Sequence, residues 1–433
     1  MVRRRAVLQA GALAPFLAAC APGILLGDPD AVRIAVPWSG SELAAFRAVL
    51  DGAGLRDRVD VLPLGDDIDT ALLARGRSAP DLVMLPEVGR VRELAGDRLR
   101  VLPESLWTDA GGPLYHDVWQ ELLWENGKPY AVPFKSANKS LVWYDRFAFG
   151  GTGPRDDPQE WTLAQWPGKM RRIAAAGRRP LALGAADGWV LADMFGNVLY
   201  SENQWDYRDL AASGDGRIRP RVWNLDSVRA TFHRIGEVWG QAGAFPGGVT
   251  GALTRQYPDA VRQVFELRSA AMVVAPDFAE PIVRSSLDRA GRDDDAVGVM
   301  QFPVVEDGKD RPLIGGGDVL VVTAETRRAV DPVVGALAAP TAVRPWIDRY
   351  GGFLAPSPRA RPDHRPMLDP VADQLNSWTV FDFADLIGPA GRRDGLWRVL
   401  TDFLVTVGDG RVDRVDAATE HAIAALDEFE RRS

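Results

Sequence analysis

Val32-Arg33-Ile34-Ala35-Val36, Val59-Asp60-Val61-Leu62-Pro63-Leu64 and Asp81-Leu82-Val83-Met84-Leu85 are three short apolar runs, and what separates them sets the fold. Between the first two, Glu42 to Leu50 carries apolar residues at 43, 46, 49 and 50, which is helical spacing. After the second, Asp66 and Asp67 suit the start of a helix that runs to about Gly76. The third run is apolar without alternation, as a strand covered on both faces requires. Strand and helix alternating in this way predict an open, doubly wound α/β lobe. Ligands of such sheets bind beyond the carboxyl ends of the strands. Two loops there become candidate binding segments: Pro37-Trp38-Ser39-Gly40-Ser41-Glu42 and Pro86-Glu87-Val88-Gly89.

Working outward, the stretch 127–145, GKPYAVPFKSANKSLVWYD, reads as a turn, a strand, a polar interruption and another strand. It holds three of the five lysines of the chain and has the character of a segment passing from one lobe to another. A second alternation follows. Helices are predicted over 161–176, 188–199 and 227–242, and strands over 180–184, 270–275 and 297–305. Gly315-Gly316-Gly317-Asp318 leads into a strand at 319–323, and the pattern from 325 onward is helical, with a turn at 351–358.

A chain of 433 residues with 46% hydrophobic and 25% charged content is that of a folded globular protein, which excludes collagenous, coiled-coil and wholly disordered classes. The balance of 51 basic against 59 acidic residues, net −8, with no basic run past residue 5, speaks against nucleic-acid binding. No G-x-S-x-G elbow, H-E-x-x-H or phosphate-binding G-x-x-x-x-G-K-[ST] occurs, and the four histidines at 116, 233, 364 and 421 form no ligand spacing. No cofactor, metal or catalytic residue is therefore expected. The single cysteine, Cys20, excludes a disulfide framework. It ends a segment with Arg3, Arg4 and Arg5 ahead of an apolar stretch from Ala6 to Ala19, which is secretory-signal architecture too short to span a bilayer. Loss of residues 1–19 would leave 48 basic against 59 acidic residues, net −11.

Leu17-Ala18-Ala19-Cys20 resembles the lipobox of bacterial lipoproteins, which implies a signal peptide over 1–19, lipidation of Cys20 and a tether over 20–30. Arg4-Arg5-Ala6-Val7-Leu8 also resembles a twin-arginine export signal, so two export routes stay open. The segments PDLVMLPEVG (80–89), GKPYAVPFKSANKSLVWYD (127–145), GWVLADMF (188–195), GGGDVLVV (315–322) and YGGFLAPSP (350–358) resemble, in order, the solute-binding proteins of ABC sugar importers, the family of maltose-binding protein. The resemblance implies a periplasmic-binding-protein-like fold: two doubly wound α/β lobes, a hinge and a ligand cleft between them. Carried over, lobe 1 takes 31–137 plus 299–326 and lobe 2 takes 138–298 plus 327–433. It also implies a monomer outside the membrane, held by lipid alone, that binds a carbohydrate and delivers it to ABC permease subunits. Two departures stand out. The resemblance is strongest to the branch serving α-glucosides and related oligosaccharides, whose members often have cysteines near 180–184 and 270–275; here those places hold apolar residues, and the glycine-rich segment before the GW motif is shorter.

A sugar has an apolar face and a rim of hydroxyls, so its site needs aromatic plates together with carboxylates, amides and charged donors. Residue types in the right places are Trp38, Ser39, Ser41, Glu42 and Glu87 after the first-lobe strands, and Lys135 and Asn138 at the crossing. Asp187, Trp189 and Asp193 lie at the GW helix, Asp277 follows the 270–275 strand, and Gly316, Gly317 and Asp318 form the glycine-rich bend. Trp143, Trp166, Trp239 and Trp397 sit in apolar periodic runs and are expected in the core. The competing readings are a binding protein for another solute (a polyamine, iron, a peptide or a glycerophosphodiester), a secreted glycosidase built on paired carboxylates, and a tethering lipoprotein with no deep cleft.

Overall fold

The computed structural model describes residues 31–65, 68–76, 79–149, 157–213, 221–361, 367–368 and 380–432. The signal segment, Cys20 and the tether over 20–30 lie outside these residues, as do Asp66 and Asp67. Among the described residues no helix is long and apolar enough to cross a membrane.

Two sheets build two cores. The first sheet has the strand order Val59–Pro63, Val32–Val36, Leu82–Leu85, Val319–Val322, Ala131–Pro133. Its first three strands are parallel, as the three opening runs require. Val319–Val322 then runs antiparallel to Leu82–Leu85 and to Ala131–Pro133, so the sheet is mixed rather than wholly parallel. The helix Gly40–Gly52 buries Ala45, Phe46, Val49 and Leu50, the stripe its spacing predicted. The second sheet has the order Arg179–Ala182, Ala270–Val274, Leu141–Asp145, Val297–Gln301, the first pair parallel and the rest antiparallel. Leu181 and Met272 face each other in that parallel pair and are buried, so this part of the second lobe is held by apolar packing. Trp143, Trp166 and Trp239 are fully buried here.

The boundaries between the lobes differ from those the sequence suggested. The family resemblance implies a return to the first lobe at 299, but Val297–Gln301 pairs along its whole length with Leu141–Asp145 of the second sheet. Phe302, Val305 and Ile314 also belong to the second core. The resemblance also implies 327–433 in the second lobe, but Val330, Val334, Trp346 and Phe353 of that stretch pack in the first core. A β-branched run does not say which sheet it joins, and an amphipathic helix does not name the apolar face it covers. Those choices belong to pairing across the whole chain.

Between the two sheets lies a third, of three short strands in the order Val380–Phe381, Ile314–Gly316, Ala137–Asn138. It gathers three passages of the chain between the lobes. Ser136 adds a reciprocal backbone pair with Leu354, so a fourth segment joins the same hinge. Gly317 has φ +152°, and a Cβ there would stand 1.9 Å from the Lys135 carbonyl oxygen. A Cβ on Gly316 would press the Lys139 stem at 2.8 Å. Both glycines are needed because hinge strands approach closely, so their place in the motif comes from packing.

A candidate ligand cleft between the lobes

The carboxyl ends of the first-lobe strands deliver Trp38 and Glu42 toward the hinge. Trp38 is 3% exposed. Its ring is wedged between Phe46, Phe134 and Trp346, with centroids 5.0, 5.6 and 5.0 Å away. The expected sugar plate is thus a core residue, covered in part by the Arg344–Tyr350 helix that the sequence reading had placed in the other lobe. Its indole N–H donates to Asp318 Oδ2 at 3.1 Å. Lys135 Nζ stands 3.0 Å from Glu42 and 3.3 Å from Asp318. Burial pulls the Lys135 pKa down, but Glu42 and Asp318 outweigh it and hold the ammonium charged. Burial pushes the Asp318 carboxyl up, opposed by Lys135. Ser39 and Ser41 are exposed at the start of the Gly40–Gly52 helix.

The second lobe supplies the facing groups. Gly188–Glu202 is a helix buried along most of its length, and it carries Trp189 and Asp193 near its start. Trp189 is half-buried, 5.0 Å from Tyr257 and 5.9 Å from Phe278 by ring centroids. Lys139 Nζ lies 5.9 Å from the Trp189 ring centre. The same ammonium is 3.4 Å from Asp193 and also pairs with Asp382. Asp382 follows the third hinge strand and caps the helix Phe383–Leu386 through the Ala384 N–H. Lys139 therefore ties two hinge crossings to the GW helix. Burial lifts the Asp193 and Asp385 carboxyls well above the ordinary range. For Asp193, Lys139 opposes the rise and Asp382 adds to it.

Asp277 is fully buried just past the Ala270–Val274 strand. Its Oδ2 accepts the Asn138 backbone N–H at 3.0 Å. Burial pushes its carboxyl up to about 8, against hydrogen bonds from the Asn138 and Phe278 N–H groups. One turn on, Glu280 is also fully buried and accepts the Gly352 N–H at 2.8 Å. Two carboxylates of one segment thus hold backbone amides of two hinge passages.

The remaining expected site residues are placed differently. Asn138 is fully buried in the hinge sheet, where its Oδ1 accepts the Ser140 N–H at 2.9 Å, so it fastens the hinge. Asp187 precedes the GW helix and accepts the Tyr257 N–H at 2.6 Å, a tie within the second lobe. Glu87 forms an ion pair with Arg392 at 3.1 Å. Arg392 adjoins the Gly388–Gly391 turn packed on the second core, so that pair crosses the cleft rim.

No family model matches the chain. The osmoprotective compounds-binding protein GgtB of Synechocystis sp. is 23% identical over 342 residues, covering 75% of this chain and 76% of that protein. The alpha-glucosides-binding periplasmic protein AglE of Rhizobium meliloti is 23% identical over 406 residues, covering 85% and 82%. Among solved structures, the bacterial solute receptor AcbH superposes with a TM-score of 0.73 at 15% identity, over 91% of this chain and 99% of that one. Maltose-bound T. maritima MalE3 gives 0.70 at 16%, over 93% and 99%. The chain has the two-lobed fold of these receptors.

Three features of this cleft carry no clear signal in the sequence. Tyr257 begins a helix of ordinary amphipathic pattern. Asp382 and Asp385 lie in FDFADL (381–386), which carries no motif. Lys139 stood inside the quoted crossing segment, and its excess of lysines was the available signal. Tyr257 is 6% exposed and its hydroxyl has no partner. Asp193 Oδ2 and Asp277 Oδ1 are likewise buried without a partner. Burial pushes the Tyr257 hydroxyl pKa well up, and the charges of Asp277, Glu42 and Asp193 add to the rise.

Proposed function

We propose that this protein is the capture component of an ABC importer and takes a carbohydrate into the cleft between its lobes. The observation that carries the reading is the trio of unpartnered buried polar atoms, Tyr257 Oη, Asp193 Oδ2 and Asp277 Oδ1, next to the half-buried Trp189 ring. Each such atom costs about 1–3 kcal/mol when it lacks a partner. A ring of hydroxyls with one apolar face supplies partners to all three and stacks on the indole. The known relatives support this reading: AglE is named for α-glucosides, and MalE3 is maltose-bound.

Closure is the working step. Neither lobe alone presents the whole set, because Glu42 and Asp318 come from the first lobe and Trp189, Asp193 and Tyr257 from the second. A solute that touches both lobes shifts the open–closed balance by its difference in affinity for the two states. The closed form then docks on the permease and hands the solute over without covalent chemistry. Cleavage of residues 1–19 and lipidation of Cys20 would hold the protein outside the membrane, and two or three acyl chains suffice for stable anchoring. The protein works as a monomer in this scheme.

A thermal-shift and calorimetric panel of mono-, di- and oligosaccharides tests the proposal, since a ligand stabilises by RT ln(1 + [L]/Kd). At least one saccharide should raise the melting temperature in a concentration-dependent way. A panel in which no sugar shifts melting, while a phosphate ester or metal does, would sink it.

A further inference from the structure

We infer that Gly89 and Arg392 form a direct contact between the lobes, which sets the closed arrangement and draws the lobes together before any solute arrives. Both are positioning residues for capture. The inference rests on the closure step proposed above and names what holds the closed form apart from the solute.

Gly89 belongs to the first lobe, since Val88 and Val91 on either side of it are buried in the first core. Asp385 lies in the short helix Phe383–Leu386, and Phe383, Ala384 and Ile387 are buried in the second core. A Cβ added to Gly89 would stand 1.9 Å from the Asp385 carbonyl oxygen and 2.8 Å from its carbon. The lobes therefore meet backbone against backbone at this point. Leu386, the next residue, packs on the first core from the other side of the joint. Gly89 has φ −59° and ψ −24°, a conformation that alanine takes without strain. Its own backbone gives no reason for a glycine, unlike that of Gly317, so the approach of the other lobe is the reason.

Arg392 stands beyond that contact and reaches back across it. Its Nε is 3.1 Å from Glu87, and its Nη2 is 3.2 Å from both Glu93 carboxylate oxygens. Arg90, at 3.6 Å, holds Glu93 on its own helix in the first lobe. One cation of the second lobe thus bridges two carboxylates of the first. The three side chains are 26%, 29% and 36% exposed for Arg392, Glu87 and Glu93, so salt screens the bridge. Every partner in this contact is the protein's own. A solute that needs the closed form binds in proportion to the share of protein that already populates it.

Small-angle X-ray scattering of the ligand-free protein tests this for the wild type, Gly89→Ala and Arg392→Gln. Each is measured at about 0.01 M and about 1 M NaCl, where the screening length is about 30 Å and about 3 Å. Gly89→Ala should have a larger radius of gyration than the wild type, with the circular dichroism of a folded protein. Arg392→Gln should shift the radius in the same direction. High salt should expand the wild type and leave Arg392→Gln unchanged. In calorimetric titrations every saccharide that binds should lose affinity for Arg392→Gln by one common factor, about two- to tenfold, because the variant changes the closed share and not the contacts to the solute. An unchanged radius in both variants and at both salt concentrations would overturn the inference. Loss of folded signal in Gly89→Ala would place its contact inside one folded unit and overturn the part given to Gly89. An affinity loss confined to some saccharides would make Arg392 a solute contact and overturn its part. The scattering contains no solute, so its failure leaves the carbohydrate reading standing, and a protein that binds no saccharide leaves the scattering result standing.

Discussion

Replacing Asp277 by Asn should change how the stability of the ligand-free protein depends on pH. Asp277 has a folded-state pKa of about 8 against an ordinary 3.8, with burial as the chief cause. The sign follows from linkage. Between these two values the native state holds a proton on Asp277 that the unfolded chain has lost. Stability therefore falls as pH rises, by about 1.4 kcal/mol per unit, and flattens above the folded pKa. From pH 5 to pH 8 the wild type should lose about 4 kcal/mol through this one group. Asparagine keeps an oxygen for the Asn138 N–H and carries no titrating proton, so the variant lacks that loss. For a chain this long 1 kcal/mol corresponds to roughly 1 °C of melting temperature. Melting of both proteins is followed by circular dichroism at half-unit steps from pH 5 to pH 9. The difference, variant minus wild type, should climb by roughly 4–5 °C between pH 5 and 8 and then level off. Other buried acids titrate in both proteins and drop out of the difference. A difference that stays constant across this range would mean that Asp277 is already charged in the native cleft, and the reasoning about its burial would be wrong.

Trp189→Ala removes the half-buried ring that packs on Tyr257 and Phe278, and it should weaken saccharide binding by tenfold or more while costing about 1–3 kcal/mol of stability; calorimetry and melting separate the two effects, and unchanged affinity would remove Trp189 from the site. Gly317→Ala forces a Cβ to within 1.9 Å of the Lys135 carbonyl at φ +152°, so the hinge must shift and the melting temperature should fall by several degrees; a melting curve like the wild type's would show that the hinge strands are not held so closely. Glu87→Gln removes one of the two carboxylates, Glu87 and Glu93, that pair with Arg392 at the cleft rim, and since these pairs are partly exposed the cost should stay within about 1 kcal/mol; a larger loss would mark the Glu87 pair as an essential clasp. Cys20→Ser should move the protein from the membrane fraction to the culture medium, and retention in the membrane would contradict lipid anchoring.

The first lobe was legible because its strands are local and parallel. Val32–Val36, Val59–Pro63 and Leu82–Leu85 each announce themselves by composition, and the helix Gly40–Gly52 by spacing. What could not be read was pairing over long separations. Val297–Gln301 meets Leu141–Asp145, and Trp346 closes over Trp38, across distances in sequence that no local pattern reports. The site followed the same rule. Lys135, Asp193 and Asp277 flank strands or helices whose type was clear, and the structure gathers them around the hinge. Trp38 was misjudged because its burial depends on Phe134 and Trp346, neither a neighbour in sequence. Tyr257 and Asp382 were missed because an aromatic at a helix start and an acid in a short loop are common, and only the fold turns them toward a shared cleft.

Hydrogen exchange with and without a bound saccharide tests the central claim most directly. If one solute bridges both lobes, amides near Lys135–Lys139 and Asp318 and those near Asp187–Asp193, Tyr257 and Asp277 should slow together on binding, with the far ends of both lobes unchanged. Protection confined to one lobe, or on a surface away from the hinge, would contradict capture between the lobes.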